Sequence, residues 1–305
     1  MQPITLDRRS AAQSYAAAFA FIVALTAVAQ LLNDREIILP EIAAMAVALW
    51  AWRDQAWMRR PEAIFLWPSL TALGGFAINL LAIPFTAKLA ILLVGMLGLF
   101  LIFRYSLPPA LATGFLPIVT NAVELSFLIS ISVTTLVLML GVMMFRMRAP
   151  AEHSAPLNRS AMTAYLLISG AGIVLAAVAG YPQLGLIPPV TVVVYETLHM
   201  KMYSARMALK QTVVLTLSAV IGAALFQTLY SWPLIAALDM AAIFLLLRLF
   251  KMPMPAAYAF PLLPFVFPPE VAPLLPAAAL AACVVSFSLT LAYHHARQRL
   301  AARSA

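Results

Sequence analysis

Residues 108–117 read PPALATGFLP, and residues 255–264 read PAAYAFPLLP. Each is a short apolar segment bracketed by proline, with a longer apolar run on either side. Proline inside a helix removes a hydrogen bond and frees a carbonyl one turn earlier. In lipid that carbonyl has to face protein or a water-filled cavity. Two such segments in one chain therefore predict two interrupted helices lying inside a membrane bundle rather than against lipid.

The rest of the chain supports a membrane setting. Of its 305 residues 64% are hydrophobic and only 10% charged, with a mean hydropathy of +0.97, whereas a soluble domain has about 25% charged residues. The composition excludes a soluble globule. The apolar runs are continuous rather than alternating, which predicts helices instead of a barrel. They fall at 15–32, 38–52, 63–81, 85–103, 107–119, 125–145, 161–179, 184–198, 212–230, 233–250, 255–267 and 271–293. At about 20 residues per crossing the expectation is an all-α polytopic membrane protein of about twelve transmembrane helices. The first run lacks a small-residue cleavage site after it and reads as a retained helix, not a signal peptide.

Charge sets the expected topology. If every run crosses and the N-terminus is cytoplasmic, all of the 19 Lys and Arg except Arg35 and Lys88 face inside, as the positive-inside rule requires. The runs 107–119 and 255–267 reach only about 20 Å as helices. Were both re-entrant, the basic residues would divide almost evenly between the two sides. Crossing is favoured, with both termini cytoplasmic in a bacterial-type inner membrane. The +8 net charge reads as topology signal; no nucleic-acid partner is expected.

Sliding the chain against itself by about 148 residues brings Pro40 onto Pro188, Arg53 onto Lys201, Gly74 onto Gly222 and Asn79 onto Gln227. With a one-residue slip Pro108 and Pro117 fall on Pro255 and Pro264. This predicts two parallel six-helix repeats, 1–148 and 160–305, joined by a cytoplasmic linker at 149–159, with the fifth helix of each repeat short and Pro-rich.

Polar residues inside the runs are few. Beside the broken backbone, Thr113, Pro117, Thr120, Asn121, Tyr258 and Pro264 are the expected substrate-binding set, joined by Asn79 and Gln227 from the duplication. Asp239 stands well inside its run, where an ionised carboxylate costs at least a few kcal/mol unless paired or hydrated. It is the first candidate for proton coupling. Glu196 and His199 share a helix face three residues apart and are candidates for coupling or gating. Glu41 and Glu124 are expected near the outer ends of their helices, facing water, and Lys88 is expected to snorkel to the outer interface. The single cysteine, Cys283, permits no intramolecular disulfide. No catalytic motif and no metal-ligating cluster stands out, so neither enzymatic activity nor a metal or cofactor is expected.

The Pro before the second helix, the basic loops RDQAWMRRPE (53–62) and KMYSARMALK (201–210), the Gly-containing third helices LTALGGFAINLL (70–81) and LSAVIGAALFQTL (217–229), and the short Pro-rich segments together resemble the fusaric acid resistance and aromatic acid exporter superfamily. The second half is similar to the HPP family at Met254-Pro255. The family His is missing from both halves. The resemblance implies an inner-membrane permease for a small organic, including aromatic, or inorganic anion. It also implies an exporter that works with a periplasmic adaptor; proton coupling through Asp239 and homo-oligomerisation are further expectations. The alternatives are a passive channel for a small solute, and from another class an integral-membrane enzyme or a scaffold subunit.

Overall fold

The structure is a computed structural model that describes residues 8–104, 107–145 and 158–304, with backbone alone at Arg8 and 301–304. Most of the expected linker, 149–157, lies outside the described residues, as do Arg146 and Arg148. The chain runs through α1 (Arg8–Leu32), a 3-10 turn (Arg35–Ile37), α2 (Pro40–Ala46) continued by a π turn (Val47–Ala51), α3 (Gln55–Met58), α4 (Pro61–Asn79), α5 (Phe85–Phe103), α6 (Pro109–Val119) and α7 (Leu125–Met144). It then follows α8 (Arg159–Val178), a 3-10 turn (Pro182–Leu184), α9 (Pro188–His199), α10 (Ala205–Thr228) and α11 (Trp232–Phe250). Two further 3-10 turns (Pro255–Tyr258 and Phe260–Leu262), α12 (Leu263–Val266), a last 3-10 turn (Ala272–Leu274) and α13 (Leu275–Ser304) complete it. No strand occurs among the described residues.

Seven of these helices, α1, α5, α7, α8, α10, α11 and α13, are long and apolar enough to cross a membrane. Their outer faces carry bare side chains such as Leu31, Ile102, Leu167, Val178 and Leu249. Water would penalise that much exposed apolar surface, whereas lipid matches it. The protein is an all-helical, membrane-embedded bundle.

Local chemistry sets the breaks. Proline opens α2, α4, α6 and α9, where its missing N–H would be unpaired anyway. The helices α5 and α11 stop at Arg104 and Lys251, each in the left-handed conformation at φ 50. That turn closes a helix by letting the next N–H reach back to its last carbonyls.

The two Pro-rich segments differ. Residues 109–119 form one helix, α6, buried at every position. At about 16 Å it is far shorter than the hydrocarbon layer and is enclosed by α4, α5 and α9. Residues 255–266 are the more broken of the two, with two 3-10 turns and a single α turn in place of one continuous helix. Pro261 and Pro264 fall in mid-segment and remove the donors a continuous α-helix would need. In α6 the one internal proline, Pro117, sits near the C-terminal end.

Four packing pairs fix the interior. Helix α2 lies on the Pro255–Tyr258 turn and α6 on α9, while α1 lies on α11 and α5 on α8. The first two pairs bring four interrupted segments together at the centre.

Candidate functional site

At that centre is a partly open cavity with ≈ 20 Å³ of space open to water-sized molecules, room for little more than a water or a very small solute. Helix α9 contributes Pro188, Val192 and Glu196, spaced four residues apart and so on one face. Helix α2 contributes Pro40, Glu41 and Ala44 on the same principle. The remaining wall is made by Pro109 and Ala112 of α6, by Pro255, Ala256 and Ala259, and by Trp57 of α3. Among the described residues the lining is therefore mostly apolar, with two acids and no Lys, Arg or His.

The chain reaches the cavity through buried, non-helical approaches. Ile38 and Leu39 lead into α2, Leu186 and Ile187 into α9, and Leu107 into α6. The N-terminal ends of α6 and α9 thus lie inside the protein. Their outermost donors are already engaged: Ala110 N donates to Leu107 O at 2.9 Å and Val190 N to Ile187 O at 3.0 Å.

Glu41 is only 4% exposed, and neither of its carboxylate oxygens has a hydrogen-bond partner among the described residues. This corrects the expectation that it faces water. Glu196 is half-buried at the far end of the same cavity. Beyond it lies the basic loop that carries Asp54, within electrostatic reach of Glu196. Burial raises the Asp54 carboxyl above the usual range, despite its acceptance of Ala56 N and Trp57 N at 2.9 and 3.3 Å.

The other sequence candidates stand apart from the cavity. Thr113 is buried and its hydroxyl pairs with that of Thr71 at 2.9 Å. Pro117 and Pro264 are buried in packing. Thr120 donates to Leu116 O at 2.8 Å and borders a separate recess with Arg35, Glu36 and Phe127. Asn79 is buried and donates to Ala122 O at 2.9 Å and to Asn121 Oδ1 at 3.4 Å. The ammonium of Lys88 donates to the carbonyl of Asn79, the last residue of α4. Gln227 is exposed, so it does not share the environment of Asn79. Tyr258 is buried with its ring against Phe19 and Trp52, and its hydroxyl has no partner among the described residues. His199 turns Nδ1 to Tyr195 O at 2.8 Å and does not line the cavity beside Glu196. Asp239 is fully buried in α11, its oxygens without a partner among the described residues, and it too stands off the cavity lining.

Sequence reasoning thus reached Glu196 and missed Glu41. The available signal was an acid directly after the proline opening an otherwise apolar run. No protein-family model, curated protein or solved structure matches the chain.

Proposed function

We propose that the chain is an inner-membrane permease for a small anion, organic or inorganic, and that the central cavity is its translocation site. The observation that carries this reading is the meeting of interrupted helices around a buried cavity within a lipid-facing bundle. Discontinuous helices at mid-membrane are the usual architecture of transport sites. The aligned peptides of α6 and α9 direct partial positive charge toward the cavity, which favours an anionic occupant. No conversion of the substrate is part of this reading.

The proposal includes twelve crossings in two parallel halves, with the basic loops and both termini cytoplasmic. Several features support the duplication. Helices α5 and α11 each have 19 residues, and their left-handed caps Arg104 and Lys251 lie at the same relative position. Left-handed Asn33 after α1 has its counterpart in left-handed Gly180 after α8. The packing is reciprocal: α1 on α11 answers α8 on α5, and α2 on the Pro255–Tyr258 turn answers α9 on α6. A pseudo-twofold axis along the membrane normal accounts for this exchange, with the cavity on the axis.

The test is flux of labelled nitrate, acetate and benzoate in proteoliposomes, native against Ala112→Leu. Ala112 is 2% exposed in the cavity wall, so the larger side chain closes the space. Loss of flux with an unchanged melting profile supports the reading. Full flux in a folded Ala112→Leu protein removes the cavity from the pathway, and absence of flux in the native protein removes the permease.

A further inference from the structure

We infer that Glu41 is the proton-binding residue of the central cavity, and that a small anion and a proton occupy the cavity together. This rests on the permease reading and deepens it by naming the coupled ion and the residue that carries it.

Among the described residues the cavity lining has no Lys, Arg or His, and the positive potential there comes from the N-terminal ends of α6 and α9. Prolines occupy the first positions of both helices, and the N–H groups that follow are engaged. An anion is therefore attracted by the field of the helices without being gripped by donors. Into the same field projects Glu41, more than nine-tenths buried and with neither carboxylate oxygen partnered among the described residues. Ionised Glu41 is itself the anion that the field holds. A second anion arriving beside it meets a like charge across apolar walls that do not screen it. A proton on one carboxylate oxygen cancels that charge without disturbing the wall. Proton and anion enter as a neutral pair, and on their departure the carboxylate again balances the helix ends.

The surroundings leave few competing titratable groups. Packed against α2 are α1, the Val47–Ala51 turn, α6, α7 and the turns at 255–258 and 260–262. Their sequences hold only Arg8, Arg9 and Tyr15 in α1 and Tyr258 in the first of these turns as titratable residues. Across the cavity α9 presents Glu196, with His199 one turn further along the helix, and α3 presents Trp57 with Asp54 at its cap. Pro188, Val192 and Glu196 mark out one face about 12 Å long. Glu196 and Asp54 thereby form an acidic route from the basic-loop side toward Glu41, the deeper group.

The test uses the full chain in nanodiscs in weakly buffered solution. Sodium nitrate, acetate or benzoate is added, a pH indicator reads proton uptake, and calorimetry reads binding. The expected result is uptake of a proton with each anion bound, and an affinity that falls roughly tenfold per pH unit once Glu41 ionises. In Glu41→Gln the uptake disappears and the affinity loses its pH dependence, while Glu36→Gln, outside the cavity, behaves as native. Binding without uptake in the native protein overturns the inference, as does uptake that survives Glu41→Gln. Proton release on adding tetramethylammonium chloride, absent with the sodium salt, also overturns it by making the site cationic. The vesicle flux assay separates the two claims. Flux without proton uptake leaves the permease standing and removes Glu41 as its proton site, and proton uptake without flux does the reverse.

Discussion

Gly75 packs directly against Gly114: a Cβ built on Gly75 stands 2.0 Å from the Gly114 carbonyl oxygen. The same relation recurs in the second half, where a Cβ on Gly222 stands 2.2 Å from the Cα of Pro261. In both places a long helix, α4 or α10, presses its backbone onto a Pro-rich segment that leads to the cavity. Helix α6 and the turns at 255–262 are positioned by that contact, so the glycines belong to the site's foundation.

Gly75→Ala and Gly222→Ala are each expected to lose stability, because the obstructing atoms are backbone and cannot turn aside. Overpacking typically costs about 1–3 kcal/mol, and contacts this short place both variants at or above the upper end. Gly74→Ala serves as the control, since nothing lies within 4 Å of its Cβ position. It should melt at or slightly above the native temperature, given alanine's better helix propensity. Thermal denaturation of the three variants in detergent decides the matter; equal melting temperatures would refute the contact.

The same glycines show how far the sequence was legible. Continuous apolar runs sufficed to read an all-helical membrane chain, and the proline pairs marked the segments that meet at the centre. The alignment of the third helices, however, set Gly74 on Gly222, whereas it is Gly75, one residue further on, that makes a close backbone approach like that of Gly222. A one-residue slip rotates a helix by about 100°, enough to exchange a buried face for an exposed one. Under the proposed duplication such a slip accounts for Asn79 being buried and Gln227 exposed. Glu41 was misplaced for a different reason. Hydropathy locates a helix, yet here the chain enters the protein through the extended residues Ile38 and Leu39 before Pro40 opens the helix. The acid that looked terminal is therefore interior. Nor could hydropathy distinguish α6 from the broken turns at 255–266, which are set by where the prolines fall against hydrogen-bond donors.

Thr113 stands in a polar contact that ties α6 to α4. Its hydroxyl lies 2.9 Å from that of Thr71, and Thr71 also donates to Trp67 O at 3.0 Å. Thr113→Val should destabilise the protein by about 1 kcal/mol, the usual net worth of a hydrogen bond. In a double-mutant cycle, Thr71→Val should add less when Thr113 is already Val, because the shared contact has gone. Anion flux should persist in a folded Thr113→Val protein. Strict additivity of the two melting shifts would show that the hydroxyls do not interact.

Glu36 supplies a pH dependence outside the spanning helices. Its two carboxylate oxygens accept Val123 N and Glu124 N, each at 2.9 Å, tying the Arg35–Ile37 turn to the start of α7. Burial nonetheless raises its carboxyl above the ordinary value, outweighing those hydrogen bonds. The folded state therefore holds this proton more tightly than the unfolded state does. The associated stability is complete below the unfolded carboxyl range and declines as pH rises through the higher folded value. Glu36→Gln should flatten that part of the melting-temperature profile. An identical profile in the variant would show that Glu36 does not titrate differently on folding.

Asp239 separates the cost of a buried acid from its use. It lies in α11 against α1, α10 and the turns at 255–262, fully buried and outside the cavity lining. A polar group buried without a partner typically costs about 1–3 kcal/mol, and more if charged. Asp239→Leu, of similar size, removes the unpartnered polar group and should melt at a higher temperature, while Asp239→Asn keeps the shape and removes only the ionisable proton. If proton coupling resides at Glu41, anion flux and proton uptake should both survive Asp239→Asn while uptake fails in Glu41→Gln. Flux measured with and without a pH gradient in both variants provides the comparison. Loss of gradient-driven flux in a well-folded Asp239→Asn protein would instead place the proton path through α11, and Glu41 would then have to be explained as a structural acid.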